Sequence, residues 1–378
     1  MASVTVPGGP PIIITGGSND VLAQNLSNII TAALNAGTLV TTPATVNPSV
    51  GAGLATVATA GTTTQLAAAV TSLIVTATGA VTVSGSGGRN QNVIAANGGL
   101  IYATNGGTGN VVAGDGNNII ATPTSGGGQF NVTTGAGNDI ILATTGNNTV
   151  SAGAGVNAIF TGGGNNTVVT TTGTDIINGA IGGGAGQTLS VTGGAGTDFI
   201  AAGSQNLTFN GGAGAGTVLF STGSDTINIG AGGGLFGGGS AGNNKISSGA
   251  TGSSTIFGGG NGDVITLNGT STNLVIAGGG NETLTGATAT AGSTYFAGSG
   301  ADQITGGTGN DIFFAGTGSS TINGGAGADL FVFSKGLAGG SVVISNFNAA
   351  EKVTLQGYAS GELAADLAKQ TTGGNVSI

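Results

Sequence analysis

The 378-residue chain has no cysteine, no histidine and no tryptophan. Without cysteine there is neither a disulfide framework nor a thiolate site, so cysteine usage does not mark the redox compartment. The Ser-His, Cys-His and His-metal constellations are missing too, which leaves carboxylates as the main groups able to do acid–base chemistry. Charged residues are only 5% of the chain. The five basic ones, Arg89, Lys245, Lys335, Lys352 and Lys369, cannot build a phosphate-tracking patch on a chain of net charge -9, which excludes nucleic acid as a partner. No apolar run approaches the ~18 to 20 residues of a membrane span, so no transmembrane segment is expected. The start, Met1-Ala2-Ser3-Val4, lacks the basic and apolar regions of a secretory signal, and an export address has to lie elsewhere. Six prolines and the lack of a strict Gly-X-Y step exclude collagen despite 82 glycines.

What is present is a frame. Gly is followed two residues on by Asp or Asn, and after two more by an aliphatic residue or Phe, as in Gly306-Gly307-Thr308-Gly309-Asn310-Asp311-Ile312-Phe313 and Gly324-Gly325-Ala326-Gly327-Ala328-Asp329-Leu330-Phe331. The polar slot recurs every nine residues as Asp139, Asn148, Asn157, Asn166 and Asp175, and again as Asp302, Asp311, Ser320 and Asp329. Eight of the 14 acidic residues occupy it: Asp139, Asp175, Asp198, Asp225, Asp263, Asp302, Asp311 and Asp329. The position two residues later reads Ile141, Ile177, Ile200, Ile227, Ile265, Ile304, Phe313 and Phe331. A fixed step with glycine turns and one inward apolar position predicts an all-β fold, a parallel β-roll or β-solenoid in which each short strand covers its neighbour.

The frame divides the chain into three parts. Residues 1–82 follow it poorly and read as a small mixed α/β head. Ile12-Ile13-Ile14 is a strand, and Val21, Leu22, Leu26, Ile29, Ile30, Ala33 and Leu34 have helical spacing up to Gly37. Thr41 to Pro48 reads as a linker, and Thr64 to Ile74 as a second short helix running into a strand. This head is either a docking and assembly region or a simple cap. Residues 83–333 form the roll, with a loop or bulge expected at Gly230 to Gly239. Residues 334–378 close it with strands at Val342 to Phe347 and Val353 to Leu355, a short helix from Gly361 to Lys369 and an apolar tail, Val376-Ser377-Ile378.

The segments Gly306 to Gly316 and Gly324 to Phe333, with Val343 to Tyr358 after them, resemble the RTX (repeats-in-toxin) calcium-binding β-roll family. The resemblance implies that the nonapeptide turn lies on calcium and that successive nonapeptides alternate sides, so that an ion sits between turns 18 residues apart. It implies export by type I secretion through an uncleaved C-terminal signal, hence an extracellular or cell-surface location. The metal ligands then expected are Asp302, Gly307, Gly309, Asp311, Gly325, Gly327 and Asp329, with Asp139, Asp175, Asp198 and Asp263. Calcium also has an independent warrant, because it takes six to eight oxygens, which stacked glycine turns and Asp can offer. On the alternation, Asp311 and Asp329 share one side, Asp302 stacks on Ser320, Asp139, Asn157 and Asp175 share one side, and Asn148 and Asn166 share the other. The Asn turns need no metal, because amides can hydrogen-bond up a stack.

A catalytic role is not expected, since Asp175 and Asp198 lie in the shared turn frame with no nearby Lys or Arg to hold a uronic acid. The composition resembles that of RTX-containing bacterial surface-layer or matrix proteins. The reading is a secreted structural protein that self-assembles outside the cell, with itself and a cell-surface polysaccharide as partners. The alternatives are an adhesin or ice-binding solenoid using Thr/Asn turn rows, and a secretion module for an effector within residues 1–82.

Overall fold

Within the frame, the slot residue ends a turn, the next residue points outward and the one after it inward, and the strands are built on that alternation. In the computed structural model the described residues are 2–4, 12–14, 54–359 and 376–377, apart from short segments at 68–69, 87–89, 96–97, 123–127, 181–183, 220, 250, 261 and 338–339. Every regular element among them is a β-strand. The chain divides into two compact units, residues 1–199 and 200–378.

In the first unit one sheet runs from Leu54–Val57 through Ser72–Val75, Gln91–Ala95, Gly109–Ala113, Phe130–Thr133, Thr149–Ser151 and Asn166–Val169 to Thr188–Thr192. The other runs from Thr63–Gln65 through Val81–Ser84, Leu100–Ala103, Ile119–Ala121, Ile140–Ala143 and Gly155–Thr161 to Gly173–Asn178. Pairing within each is parallel, strand to strand one full turn later. Consecutive strands belong to opposite sheets, so two nonapeptides make one turn. Thr149 therefore pairs with Thr167 where the frame is regular, and inserted residues stretch the step, as from Ile119 to Ile140. The second unit repeats the plan. One sheet includes Asn206–Asn210, Thr226–Asn228, Lys245–Ser247, Val264–Gly269, Thr283–Ala289, Gln303–Thr305, Ser320–Asn323 and Val342–Ser345. The other includes Gly216–Val218, Gly234–Gly237, Ser254–Phe257, Leu274–Ile276, Thr294–Phe296, Ile312–Phe314, Leu330–Ser334 and Lys352–Gln356.

The inward position fills a narrow core. Ile120, Ile141, Ile159 and Ile177 stack in one column of the first unit and Val111, Val132, Val150 and Val168 in another, all buried. In the second unit the Tyr295, Phe313 and Phe331 rings stack with centroids 5.0 and 5.2 Å apart. Such columns hold a solenoid together because one turn cannot bury its apolar residues alone. The turns close by stacking glycine on glycine. Gly155 and Gly173 pair in register with φ of 130° and 126°, and a side chain on Gly173 would collide with the Gly155 carbonyl.

Among the described residues parallel pairing is already present at Leu54, upstream of residue 83, because strands such as Leu54–Val57 and Ser72–Val75 keep the inward apolar residues without the Gly-x-Asp signal. Of the short helix running into a strand expected over Thr64 to Ile74, the strand is present and the described residues before it are not helical. Thr63–Gln65 and Ser72–Val75 are strands, and buried Leu66 and Val70 flank a turn closed by Val70 N–H to Ala67 O. The loop or bulge expected at Gly230 to Gly239 is likewise replaced by a paired strand, Gly234–Gly237, whose Phe236 ring stacks on Phe209. Gly216 and Gly234 are needed there, since a side-chain carbon on Gly216 would meet both rings. The strands expected near the end are present as Val342–Ser345 and Lys352–Gln356, and Val376–Ser377 pairs antiparallel with the first of them. The expected helices at 20–37 and 361–369 and the linker at 41–48 lie outside the described residues.

Candidate metal centre

The slot residue stands where a turn becomes a strand, so its backbone N–H lacks a ladder partner of its own. The side chain of the next slot on the same side supplies the acceptor. In the first unit Asn118 N–H donates to Asp139 Oδ1 at 2.8 Å and Asp139 N–H to Asn157 Oδ1 at 3.0 Å. On the other side Asn148 N–H donates to Asn166 Oδ1 at 2.9 Å. In the second unit Asp225 N–H reaches Asn244 Oδ1 and Asn244 N–H reaches Asp263 Oδ1, both at 2.8 Å. Glu282 N–H reaches Asp302 Oδ1 at 3.0 Å. Ser293 N–H donates to Asp311 Oδ1 at 2.7 Å and Asp311 N–H to Asp329 Oδ1 at 2.9 Å. All these slots are buried, Asp139, Asp263 and Glu282 to within 1% of completely.

One side-chain oxygen is thus used alike by Asn and Asp, and the second atom separates them. In Asn118 the amide nitrogen donates back into its own turn, to Gly114 O at 3.1 Å and Gly116 O at 2.9 Å. Asn148 does the same to Ala143, Thr145 and Gly146 carbonyls, and Asn166 to Gly162 and Gly164. An Asp puts a second acceptor in place of that donor. Three of these oxygens find donors: Asp225 Oδ2 takes Ser221 Oγ at 2.6 Å, Asp302 Oδ2 takes Gly298 N–H at 3.0 Å and Asp311 Oδ2 takes Gly307 N–H at 2.8 Å. Asp139 Oδ2, Asp175 Oδ2, Asp263 Oδ2, Asp329 Oδ2 and both Glu282 carboxyl oxygens are buried with no hydrogen-bond partner among the described residues. Leaving a carboxylate in that state is costly unless a proton or a cation sits beside it.

The electrostatics follow from this. Burial pushes the carboxyls of Asp139, Asp198, Asp225, Asp263 and Asp311 above their ordinary value. Asp175 is pushed up to about 6 by burial, with Asp198 and Asp139 adding repulsion. Asp329 is raised to about 6 by burial and by the charges of Asp311 and Glu351. Burial and neighbouring Asp302 drive Glu282 well up.

The expected residues come together in part. Asp311 and Asp329 stack on one side, and the register puts Ser320 beside Asp302. Asp139, Asn157 and Asp175 share a side, and Asn148 and Asn166 share the other. Asp198 is held by Thr170 Oγ1 at 3.0 Å. Gly325, with φ of 92°, lies over Gly307, and Gly327, with φ of 128°, over Gly309. The space beside the carboxylates depends on glycine: a side chain on Gly306 would strike Asp311 Oδ2 and the Gly324 carbonyl, and one on Gly324 would strike Asp329 Oδ2 and Glu351 Oε1. Oxygens from two or three turns therefore close on one small volume, which fits a hard cation that prefers oxygen. Among the described residues no three acidic side chains form a metal cluster alone, so turn carbonyls have to complete the shell.

Two slot carboxylates escaped the sequence frame. Glu282 pairs in register between Asp263 and Asp302, and Glu351 follows Asp329. Stretched steps and Glu in place of Asp hid them, although Leu284 and Val353, two residues on, carry the same apolar signal.

A family model described as the RTX calcium-binding nonapeptide repeat (4 copies) matches residues 133–168, 155–185, 190–218, 291–320 and 305–336. These stretches, about a third of the chain, are therefore similar to RTX calcium-binding nonapeptide repeats. Comparison with curated proteins and with solved structures found no match.

Proposed function

We propose that the chain is a secreted structural protein that assembles outside the cell as a surface layer, filament or matrix, with calcium held between turns of the roll. The observation that carries the calcium part is the set of buried carboxylate oxygens without donors, placed where Asn turns have an amide nitrogen. Asp329, with Glu351 beside it, is the strongest candidate ligand, followed by Asp263 and Glu282 and then Asp139 and Asp175; Asp311, Asp302 and Asp198, which already accept from Gly307, Gly298 and Thr170, come after them. Bound calcium supplies positive charge where those oxygens repel one another; the residues supply the fixed cavity. Assembly is supported by a surface with almost no charge to oppose contact.

Electron microscopy of the purified chain, with calcium and again after chelation, tests this reading. Ordered sheets or filaments that form with calcium and dissolve in chelator are the expected result, and dispersed monomers in both conditions would overturn it. One observation favours an adhesin or ice-binding solenoid instead. The outward positions of one sheet carry Thr and Asn in register, including Thr283, Gln303 and Thr321 beside Thr285, Thr305 and Asn323. This row lies on a sheet face, whereas the sequence directs attention to the turns. Ice recrystallisation or glycan-array binding by a monomer would support that alternative.

A further inference from the structure

The two sheets of the first unit present opposite chemistries to solvent. On one, Asn92, Asn110 and Asn131 are joined by amide hydrogen bonds of 2.8 and 2.9 Å, and Thr149 and Thr167 continue the row in register. On the other, Ile101, Ile119, Ile140, Ala158 and Ile176 stand side by side in strand register, and Phe199 has the same position relative to its slot. Ile101 and Ile119 are 37% exposed, Ile140 40%, Ile176 44% and Phe199 38%. Half-buried Leu142 and Phe160 lie in the neighbouring outward row.

Natural sheets usually guard such a face with Lys or Glu. Here no Lys or Arg occurs between Arg89 and Lys245. The exposed row offers roughly 350 Å² of apolar surface in one contiguous strip, the scale of the largest and often functional patch on a soluble protein. Two such faces, with their half-buried flanks, bury on the order of 1,000 Å², enough for a specific contact between proteins.

We infer that this isoleucine-bearing sheet face docks against the same face of a second copy of the chain. Several features favour that occupant. The side chains repeat at the strand spacing of about 4.8 Å, and another copy carries the same repeat, so the rows can interdigitate like two packed sheets. The face has no charge to pair with a charged partner and no basic residues to hold it on an anionic membrane. The inference rests on the self-assembly reading and names the surface through which it acts.

The absence of native cysteine gives a direct test. Ile140→Cys in the full chain, exposed to mild oxidant, is expected to give a disulfide-linked dimer, while Thr167→Cys on the opposite sheet stays largely unlinked. Separately, Ile140→Lys with Ile176→Lys is expected to weaken self-association at least about tenfold in sedimentation runs, whereas Thr149→Lys with Thr167→Lys leaves it unchanged. Circular dichroism and melting checks that both Lys pairs keep the wild-type fold. Wild-type-like assembly of the folded Ile variant would overturn this interface and leave self-assembly standing. A wild-type chain that stays monomeric at every concentration would overturn both. Association of the monomer only with added phosphatidylcholine vesicles would assign the face to lipid and also overturn the inference.

Discussion

Asn148 and Asp329 occupy the same place in their turns, accept a backbone N–H from the preceding slot on their side through one oxygen or take part in the same ladder, and are equally buried, yet one turn is complete and the other is not. The amide nitrogen of Asn148 closes three carbonyls of its own turn. Asp329 presents an oxygen that none of the described residues satisfies. The backbone is therefore indifferent to the choice, and the choice decides whether a turn depends on an ion. A roll that mixes the two has segments that stand alone and segments that answer to the surroundings.

Exchanging the two residue types tests the comparison most strongly. Asp311→Asn together with Asp329→Asn is expected to abolish the calcium-dependent rise in melting temperature from the end of the second unit. In chelator Asp329→Asn alone should melt above the wild type, because its amide replaces a buried acceptor that has no donor, whereas at Asp311 the change would sacrifice the Gly307 N–H bond. A double variant still fully calcium-dependent would show that these two aspartates are not the main ligands. The reverse exchange, Asn148→Asp with Asn166→Asp, should cost about 1–3 kcal/mol per turn in chelator by removing buried donors. Added calcium should recover part of that loss in denaturant titrations, and an equal loss with and without calcium would show that the slots are not interchangeable.

A smaller effect is expected from protons alone. Asp175 and Asp329 have folded-state values raised to about 6 from an ordinary 3.8. In chelator the folded chain thus takes up protons before the unfolded chain does. Their contribution is full below pH about 4 and is lost as the pH rises through about 6. Thermal melts in chelator should therefore show a few degrees more stability at pH 4.5 than at pH 7.5 from these groups, with calcium flattening the difference. A melting temperature in chelator that rises steadily from pH 4.5 to 7.5 would contradict the assignment.

Much of this arrangement was legible in the residues. The nine-residue recurrence of Asp139, Asn148, Asn157, Asn166 and Asp175 gave the sides on which they stack, because period-two alternation and alternating sheets leave few other solutions. Residues 54–82 hid their strands, since Leu66 and the alanines after it carry helical propensity and no Gly-x-Asp signal marks the frame. There the pairing of Leu73 with Ala55 and of Ile74 with Thr56 prevails over local preference. Glu282 and Glu351 were missed because longer steps of the chain moved them off the nine-residue count, and only the register restores them. The outer faces could not be read from the motif at all: it fixes what points inward, and Ile140 and Thr149 are equivalent in it.

The ladders also have a direction. The buried slots pass each backbone N–H forward, from Asn118 to Asp139 and from Asp139 to Asn157. The exposed Asn row just before them passes in the opposite sense, from Asn138 N–H back to Asn117 and from Val156 N–H back to Asn138. Cutting turns away from the beginning leaves a buried slot acceptor such as Asp139 Oδ1 without its donor, whereas cutting from the end leaves a buried slot N–H without its acceptor. The two cuts are thus unequal in kind, one exposing acceptors and the other donors, and Val376–Ser377 lies antiparallel across Val342–Ser345 in the second unit.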